Sequence, residues 1–210
     1  MPNTVPQYRT LMPMFEELHG VRVLLRPYRL DDAAERQDAI EESREHLRPW
    51  EPEQADAFRS LDETRDWIVR CTARWLLRER FSIGLWHLRT QRYLGGLALN
   101  PREPDGWSVP AFSLGYWIRP SEEGNGYVTE AVRLLTDYAF DVMQAQRVEI
   151  TCDARNARSA AVARRLGFVY EGTLRNVWRG ADGGPIDEMV FSLTPNDPRD
   201  PGSETAQNTV

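Results

Sequence analysis

Apolar positions along the chain follow two periods, and the switches between them mark the elements. Val21–Pro27 (VRVLLRP) reads as a strand, and Asp31 as the N-cap of a helix running to about Glu45. Two prolines in Leu47-Arg48-Pro49-Trp50-Glu51-Pro52 predict a loop. From about Asp62 to Arg80, the residues Trp67, Ile68, Cys71, Trp75 and Leu76 recur at helical spacing. Phe81–Leu88 and Tyr93–Leu99 read as strands joined by the short connection Arg89-Thr90-Gln91-Arg92. Ala111–Ile118 is a further strand, with Phe112, Leu114, Tyr116 and Ile118 on one face and Gly115 placed for a bulge. The helical period returns over Tyr127–Met143 through Val128, Ala131, Leu135, Tyr138 and Val142. Arg147–Cys152 alternates as a strand. A compact helix opened by Asn156 or Arg158 then ends at Gly167. Phe168–Leu174 and Ile186–Leu193 are the last strands, with a turn at Arg179–Pro185 between them.

Residues 1–19 read as a lead-in with a short helical turn at Met14–His19, and residues 20–193 as one domain. The polar stretch 194–210, with three prolines, is expected to be a disordered tail. Antiparallel strands followed by a strand–helix–strand unit predict a mixed α/β fold. Its twisted, mixed, mostly antiparallel sheet would carry helices on both faces.

Composition narrows the function classes. A chain of 210 residues buries about 70% of its extended surface, enough for one core without staples. Its net charge of −6 argues against general nucleic-acid binding, which needs basic surface. No apolar run approaches the length of a membrane span. The first residues, MPNTVPQYRT, show no secretory signal, so a reducing cytoplasm is the default expectation. Two cysteines make no disulfide framework and no metal spacing, although a single Cys71–Cys152 bridge stays open. His19, His46 and His87 are scattered and receive no metal role.

The chemistry concentrates in Gly115-Tyr116-Trp117-Ile118-Arg119-Pro120-Ser121-Glu122-Glu123-Gly124-Asn125-Gly126-Tyr127-Val128-Thr129-Glu130-Ala131. A strand runs through a glycine-containing loop into a helix start, where unpaired N–H groups and the positive end of the helix dipole make an anion site. Gly124 and Gly126 let an anion approach the backbone. A tight strand-to-helix turn would use the same glycines. The loop is neither a dinucleotide fingerprint nor a Walker loop.

One strand later comes Asn156-Ala157-Arg158-Ser159-Ala160-Ala161-Val162-Ala163-Arg164-Arg165-Leu166-Gly167-Phe168, followed by Val169-Tyr170-Glu171-Gly172. Upstream stand Val23-Leu24-Leu25-Arg26-Pro27, then Asp31-Asp32, and His46-Leu47-Arg48-Pro49-Trp50. Together with the glycine loop, these segments resemble the GNAT superfamily of N-acetyltransferases. Within it they are most similar to the RimJ/RimL-like ribosomal-protein N-terminal acetyltransferases.

The resemblance implies acetyl-CoA, or another acyl-CoA, as co-substrate and no metal. It implies that coenzyme A enters a gap where two parallel strands, Ala111–Ile118 and Arg147–Cys152, splay apart. The diphosphate would lie on backbone N–H groups of Gly124, Asn125, Gly126, Tyr127 and Val128, and the pantetheine arm beside Trp117 and Ile118. Asn156 would hold the arm or its loop, and Ser159 would stand near the thioester sulfur as leaving-group acid. Trp50 and Glu51 fall where relatives line the acceptor pocket. A helix-opening role for Ser159 and a core-capping role for Trp50 are the alternatives. The chain departs from the family pattern at Ser121, where relatives often have Gln or Arg. It departs again at Arg164 and Arg165, where many have a tyrosine late in the helix.

The expected reaction is acetyl transfer from the thioester to a primary amine in a ternary complex, with a protein or peptide α-amine as leading acceptor. A polyamine, antibiotic or amino acid is the alternative acceptor, and a catalytically silent acyl-CoA-binding protein the alternative class. At about pH 7.4 roughly a quarter of α-amines are neutral, against about 0.1% of lysines, so an α-amine needs only a weak base. By position the candidates for that base are Glu51, Glu171 and Glu188. A homodimer is compatible with the resemblance.

Overall fold

The computed structural model describes residues 9–102 and 109–199. Among these, one sheet holds eight strands: β1 (Leu18–His19), β2 (Val23–Pro27), β3 (Phe81–His87), β4 (Tyr93–Pro101), β5 (Ala111–Ile118), β6 (Arg147–Asp153), β7 (Val169–Arg179) and β8 (Pro185–Leu193). The helices are α1 (Ala33–Leu47), α2 (Pro52–Asp56), α3 (Leu61–Leu76), α4 (Tyr127–Asp141) and α5 (Ala157–Arg165). The strand order is β1-β2-β3-β4-β5-β6-β8-β7, and every neighbouring pair is antiparallel except β5–β6. That pair is parallel because α4 carries the chain back between its two strands, as a crossover must.

Alternation along the strands feeds two cores. Val23, Leu25 and Leu85 join the larger one, with Ala131, Val132 and Leu135 of α4 and Ala160 and Ala163 of α5. Leu24 and Trp86, on the opposite face, pack with Tyr28, Tyr93, Ala39 of α1 and Ile68 of α3. No helix among the described residues is long and apolar enough to cross a membrane.

Several boundaries differ from the sequence reading, each for a local reason. Residues 14–19 form no helical turn; Leu18–His19 pairs with β2 instead, and Met12, Phe15 and Leu18 are buried in the larger core. Pro52 does not break the chain. It stands at the first position of α2, where its missing N–H costs nothing. Helix α3 stops at Leu76 because Arg78 turns left-handed (φ 57°) and donates to the Met12 carbonyl at 3.0 and 2.9 Å. Gly115 is no bulge: β4 and β5 keep one register from Gly95↔Ile118 to Pro101↔Phe112, and the irregularity lies at Leu85/Trp86. Strand β7 runs five residues beyond Leu174, with register shifts between Tyr170 and Gly172 and between Leu174 and Trp178. Thr194 to Arg199 of the expected tail form an ordered turn, with Arg199 over the Phe140 ring. Residues 200–210 lie outside the described residues. Cys71 and Cys152 are both free thiols.

Candidate functional site

The parallel pair is paired at one end only. Ala111↔Arg147, Phe112↔Val148 and Ser113↔Glu149 are in register, and beyond them the strands part. Leu114–Ile118 stays bonded to β4 and Ile150–Asp153 to β8, so two backbone edges face each other across open space. The space is a cleft of about 950 Å³ that runs from Arg22 and the glycine loop to Leu47, Trp50 and Glu51.

The loop at the cleft mouth is built for an anion. Gly124 (φ 76°) and Gly126 (φ 78°) are left-handed, a region other residues enter at a cost. Gly126 is the N-cap of α4 and provides no side chain to cap it. The N–H groups from Gly124 to Thr129 find no protein acceptor among the described residues. A Cβ built on Gly124 would meet nothing within 4 Å. Unpaired N–H groups in series at a helix start fit a diphosphate, and the parted strands leave room for the arm behind it. The expected diphosphate residues Gly124, Asn125, Gly126, Tyr127 and Val128 all line the cleft, as do Trp117, Ile118, Asn156, Ser159, Trp50 and Glu51.

At the inner end, Asn156 caps α5, its Oδ1 accepting from Ser159 N at 3.0 Å. That leaves the Ser159 hydroxyl free of capping duty, and it lies 3.0 Å from the Tyr116 hydroxyl. Tyr116 also reaches the Ser159 carbonyl at 3.0 Å. Burial raises the Tyr116 pKa, so the phenol keeps its proton. Cys152 lines the same end; burial raises its thiol pKa, while the Ser159 hydroxyl beside it works against that. Sequence alternation places Tyr116 with the core residues Phe112 and Leu114. Only the parting of β5 from β6 turns it into a cleft residue.

Among the described residues five carboxylates line the cleft, and four are ion-paired. Glu122 meets Arg92 at 3.0 Å, Glu130 meets Arg22 at 2.9 Å, and Asp153 meets Arg155 at 2.6 Å. Glu123 binds both His46, at 2.8 Å, and Arg158. Glu51 alone has no hydrogen-bonded or ionic partner among the described residues. Part of its side chain reaches solvent, yet the atoms packed around its carboxyl raise its pKa above the ordinary value; Arg80 pulls weakly the other way. The other two candidate bases stand outside the cleft. Glu171 is held by Arg147 and the Ser192 hydroxyl, which lower its pKa to about 2. Glu188 accepts from the Trp178 indole at 2.9 Å. Ser121, on the loop, turns its hydroxyl to Glu42 at 2.6 Å.

Comparison with known proteins agrees with this geometry. The family model described as "Acetyltransferase (GNAT) domain" matches residues 22–169. YjcK of Bacillus subtilis, assigned as an N-acetyltransferase, is 30% identical over 158 residues, covering 75% of this chain and 86% of that protein. Among solved structures, a protein assigned as a ribosomal-protein-serine acetyltransferase from Vibrio cholerae superposes with a TM-score of 0.71 at 29% identity. The match covers 88% of this chain and all of the other. RimJ of Mycobacterium smegmatis, in complex with CoA-disulfide, shares the fold with a TM-score of 0.78 at 23% identity and 89% coverage of each chain. The parted strands, the bare helix start and these likenesses converge: the chain belongs to the GNAT family of N-acetyltransferases, enzymes that take their acetyl group from acetyl-CoA.

Proposed function

We propose that this N-acetyltransferase acts on the α-amino group of a protein or peptide, with Glu51 as general base and Ser159, backed by Tyr116, as proton donor to the departing thiolate. The observation that carries the reading is the isolation of Glu51. A polyamine acceptor calls for several free carboxylates, and among the described residues the cleft has one; the other four are neutralised by cations. One carboxylate of raised pKa suits one ammonium that is already partly deprotonated near neutral pH. The likeness to a protein assigned as a ribosomal-protein-serine acetyltransferase supports the same acceptor class.

Acetyl-CoA supplies the acetyl thioester. The free backbone edge of Leu114–Ile118 orients the arm and offers N–H groups where negative charge develops on the carbonyl oxygen. Glu51 takes the proton that the amine loses on forming its bond to the carbonyl carbon, directly or through water. As the carbon–sulfur bond breaks, Ser159 passes a proton to sulfur while taking one from the Tyr116 hydroxyl, 3.0 Å away, and solvent restores the phenol as Glu51 releases the amine's proton to it. Trp50, 37% exposed beside Glu51, offers an apolar wall to the residue that carries the amine.

The test is acetyl incorporation, followed by mass spectrometry, into three acceptor sets: peptides with a free α-amine and blocked lysines, peptides with free lysines and a blocked N-terminus, and spermidine. The first set is expected to be modified; preference for either of the others overturns the reading. Glu51→Gln is expected to lower kcat/KM about 10²- to 10⁴-fold at pH 7. The deficit should shrink above about pH 8, where the α-amine is neutral without help. A deficit that is equal at every pH argues against the base role.

A further inference from the structure

The mouth of the cleft poses a charge problem that the loop itself does not solve. Coenzyme A brings a doubly anionic diphosphate, yet Ser121–Gly126 contains no lysine or arginine and has two glutamates, with Glu130 one turn into α4. The cation comes from far away in sequence. Arg22, in the turn between β1 and β2, is fixed against the loop by contacts to three of its neighbours. Its Nε donates to Glu130 Oε2 at 2.9 Å, its Nη1 to the Asn125 carbonyl at 2.9 Å, and its own backbone N–H to Glu130 Oε1 at 2.7 Å. The guanidinium carbon also lies 5.2 Å from the Tyr127 ring centroid.

These contacts use Nε and one proton-bearing face of Nη1. The remaining nitrogen, Nη2, has no protein acceptor among the described residues. It lies over Gly126, where a built Cβ would stand 3.5 Å from it. It therefore shares one spot with the unpaired N–H groups of the helix start, and the residue lines the cleft. We infer that Arg22 is the side-chain ligand of the coenzyme A diphosphate, donating from Nη2 to a phosphate oxygen opposite the backbone cradle. Glu130 is its positioning residue. By gripping Nε and the backbone N–H groups of Arg22 and Val23, at the entry to β2, it holds the guanidinium ready before the nucleotide arrives. The inference rests on the reading that this cleft takes coenzyme A, and it adds a side-chain N–H donor where Ser121, turned to Glu42, gives none.

Calorimetry with three probes tests it: coenzyme A, dephospho-coenzyme A, which keeps the diphosphate and lacks the 3′-phosphate, and pantetheine, which lacks both. Arg22→Ala is expected to weaken the first two about 10- to 100-fold, the range for a hydrogen bond to a charged group, and to leave pantetheine unchanged. Equal binding of coenzyme A by variant and wild type overturns the inference. So does a loss confined to coenzyme A, which would place Arg22 on the 3′-phosphate, or an equal loss for pantetheine, which would make its role structural. Because Arg22→Ala bares the Glu130 carboxylate, Arg22→Ala/Glu130→Gln is the companion: it should still bind the diphosphate probes weakly. Wild-type affinity in that double variant would trace the loss to repulsion and sink the ligand role. Failure of wild type to bind any of the probes would strike the coenzyme A reading itself, a separate outcome.

Discussion

Strands β5 and β6 are one pair with two opposite ends. At the closed end Phe112 and Val148 are fully buried and the ladder is intact. A chain of charges, Arg102–Glu149–Arg147–Glu171, crosses it, with bonds of 2.7, 2.7 and 2.6 Å. At the open end the ladder is missing, and the backbone groups face a cleft whose lining includes the Tyr116 and Ser159 hydroxyls and the Cys152 thiol. The difference teaches that the gap is a product of commitment elsewhere. Each strand keeps its outer partner through the open end, β5 with β4 to Ile118 and β6 with β8 to Asp153, so the two strands follow diverging halves of the sheet. Unpaired backbone groups are tolerable here because they border solvent or a ligand rather than apolar core.

The sharpest way to break this contrast is a pair of substitutions on one face of β5. Phe112 and Tyr116 are four residues apart and point the same way along the strand. Phe112→Ala leaves a cavity in the closed end and should cost about 3–5 kcal/mol, a fall in Tm of roughly 6–20 °C. Its KM for acetyl-CoA, measured below that transition, should stay near the wild-type value. Tyr116→Phe removes one hydroxyl at the open end; it should lower kcat while changing stability by only about 1 kcal/mol. If the two variants traded effects, the division of the pair into a structural and a working end would be wrong.

A smaller effect separates backbone strain from ligand binding. Gly126 and Gly183 have the same φ of 78°, one at the cleft mouth and one in the turn between β7 and β8. Valine at either position is strained by about 1–2 kcal/mol. Gly126→Val should also raise the KM for acetyl-CoA at least tenfold, because its side chain enters the space where N–H groups and Arg22 converge. Gly183→Val should show the strain and a normal KM. Equal KM values in the two variants would remove the glycine loop from nucleotide binding.

How much of this could be read from the chain depends on sequence distance. The strand and helix periods, the glycine loop and a helix opening at Asn156 or Arg158 are local; Ser159 is singled out by the family resemblance and not by those periods. What the periods hide is pairing across the fold. Tyr116 alternates with Phe112 and Leu114 and looks like core until the partner strand departs. Arg22 reads as one of two arginines in an otherwise apolar strand, Val21–Pro27, and stands 108 positions from the Glu130 that holds it. Glu51 stands among prolines, and its distinction is that the other cleft carboxylates among the described residues are taken. Pro52 reads as a break because proline is usual both in loops and at helix starts, and only the contacts of α2 separate the two.

The smallest prediction concerns what keeps the closed end shut in acid. Glu171 has a pKa of about 2, set first by Arg147 and then by the Ser192 hydroxyl, against about 4.3 for an unfolded glutamate. A depressed folded pKa means the unfolded chain binds the proton more readily. The stabilisation is thus full above about pH 4.3 and is lost as pH falls toward 2. The side chain is 40% exposed, so solvent screening reduces its worth to about 1 kcal/mol or less. Urea unfolding of wild type and Glu171→Gln should therefore differ by that amount at pH 7, and the difference should narrow steadily below pH 4. Arg147 also binds Glu149, so the variant leaves it one partner and should not loosen β6 from β8. A gap between the two proteins that stayed constant from pH 7 to pH 3 would mean that Glu171 acts through packing, and that the charges crossing the closed end are not what pins it.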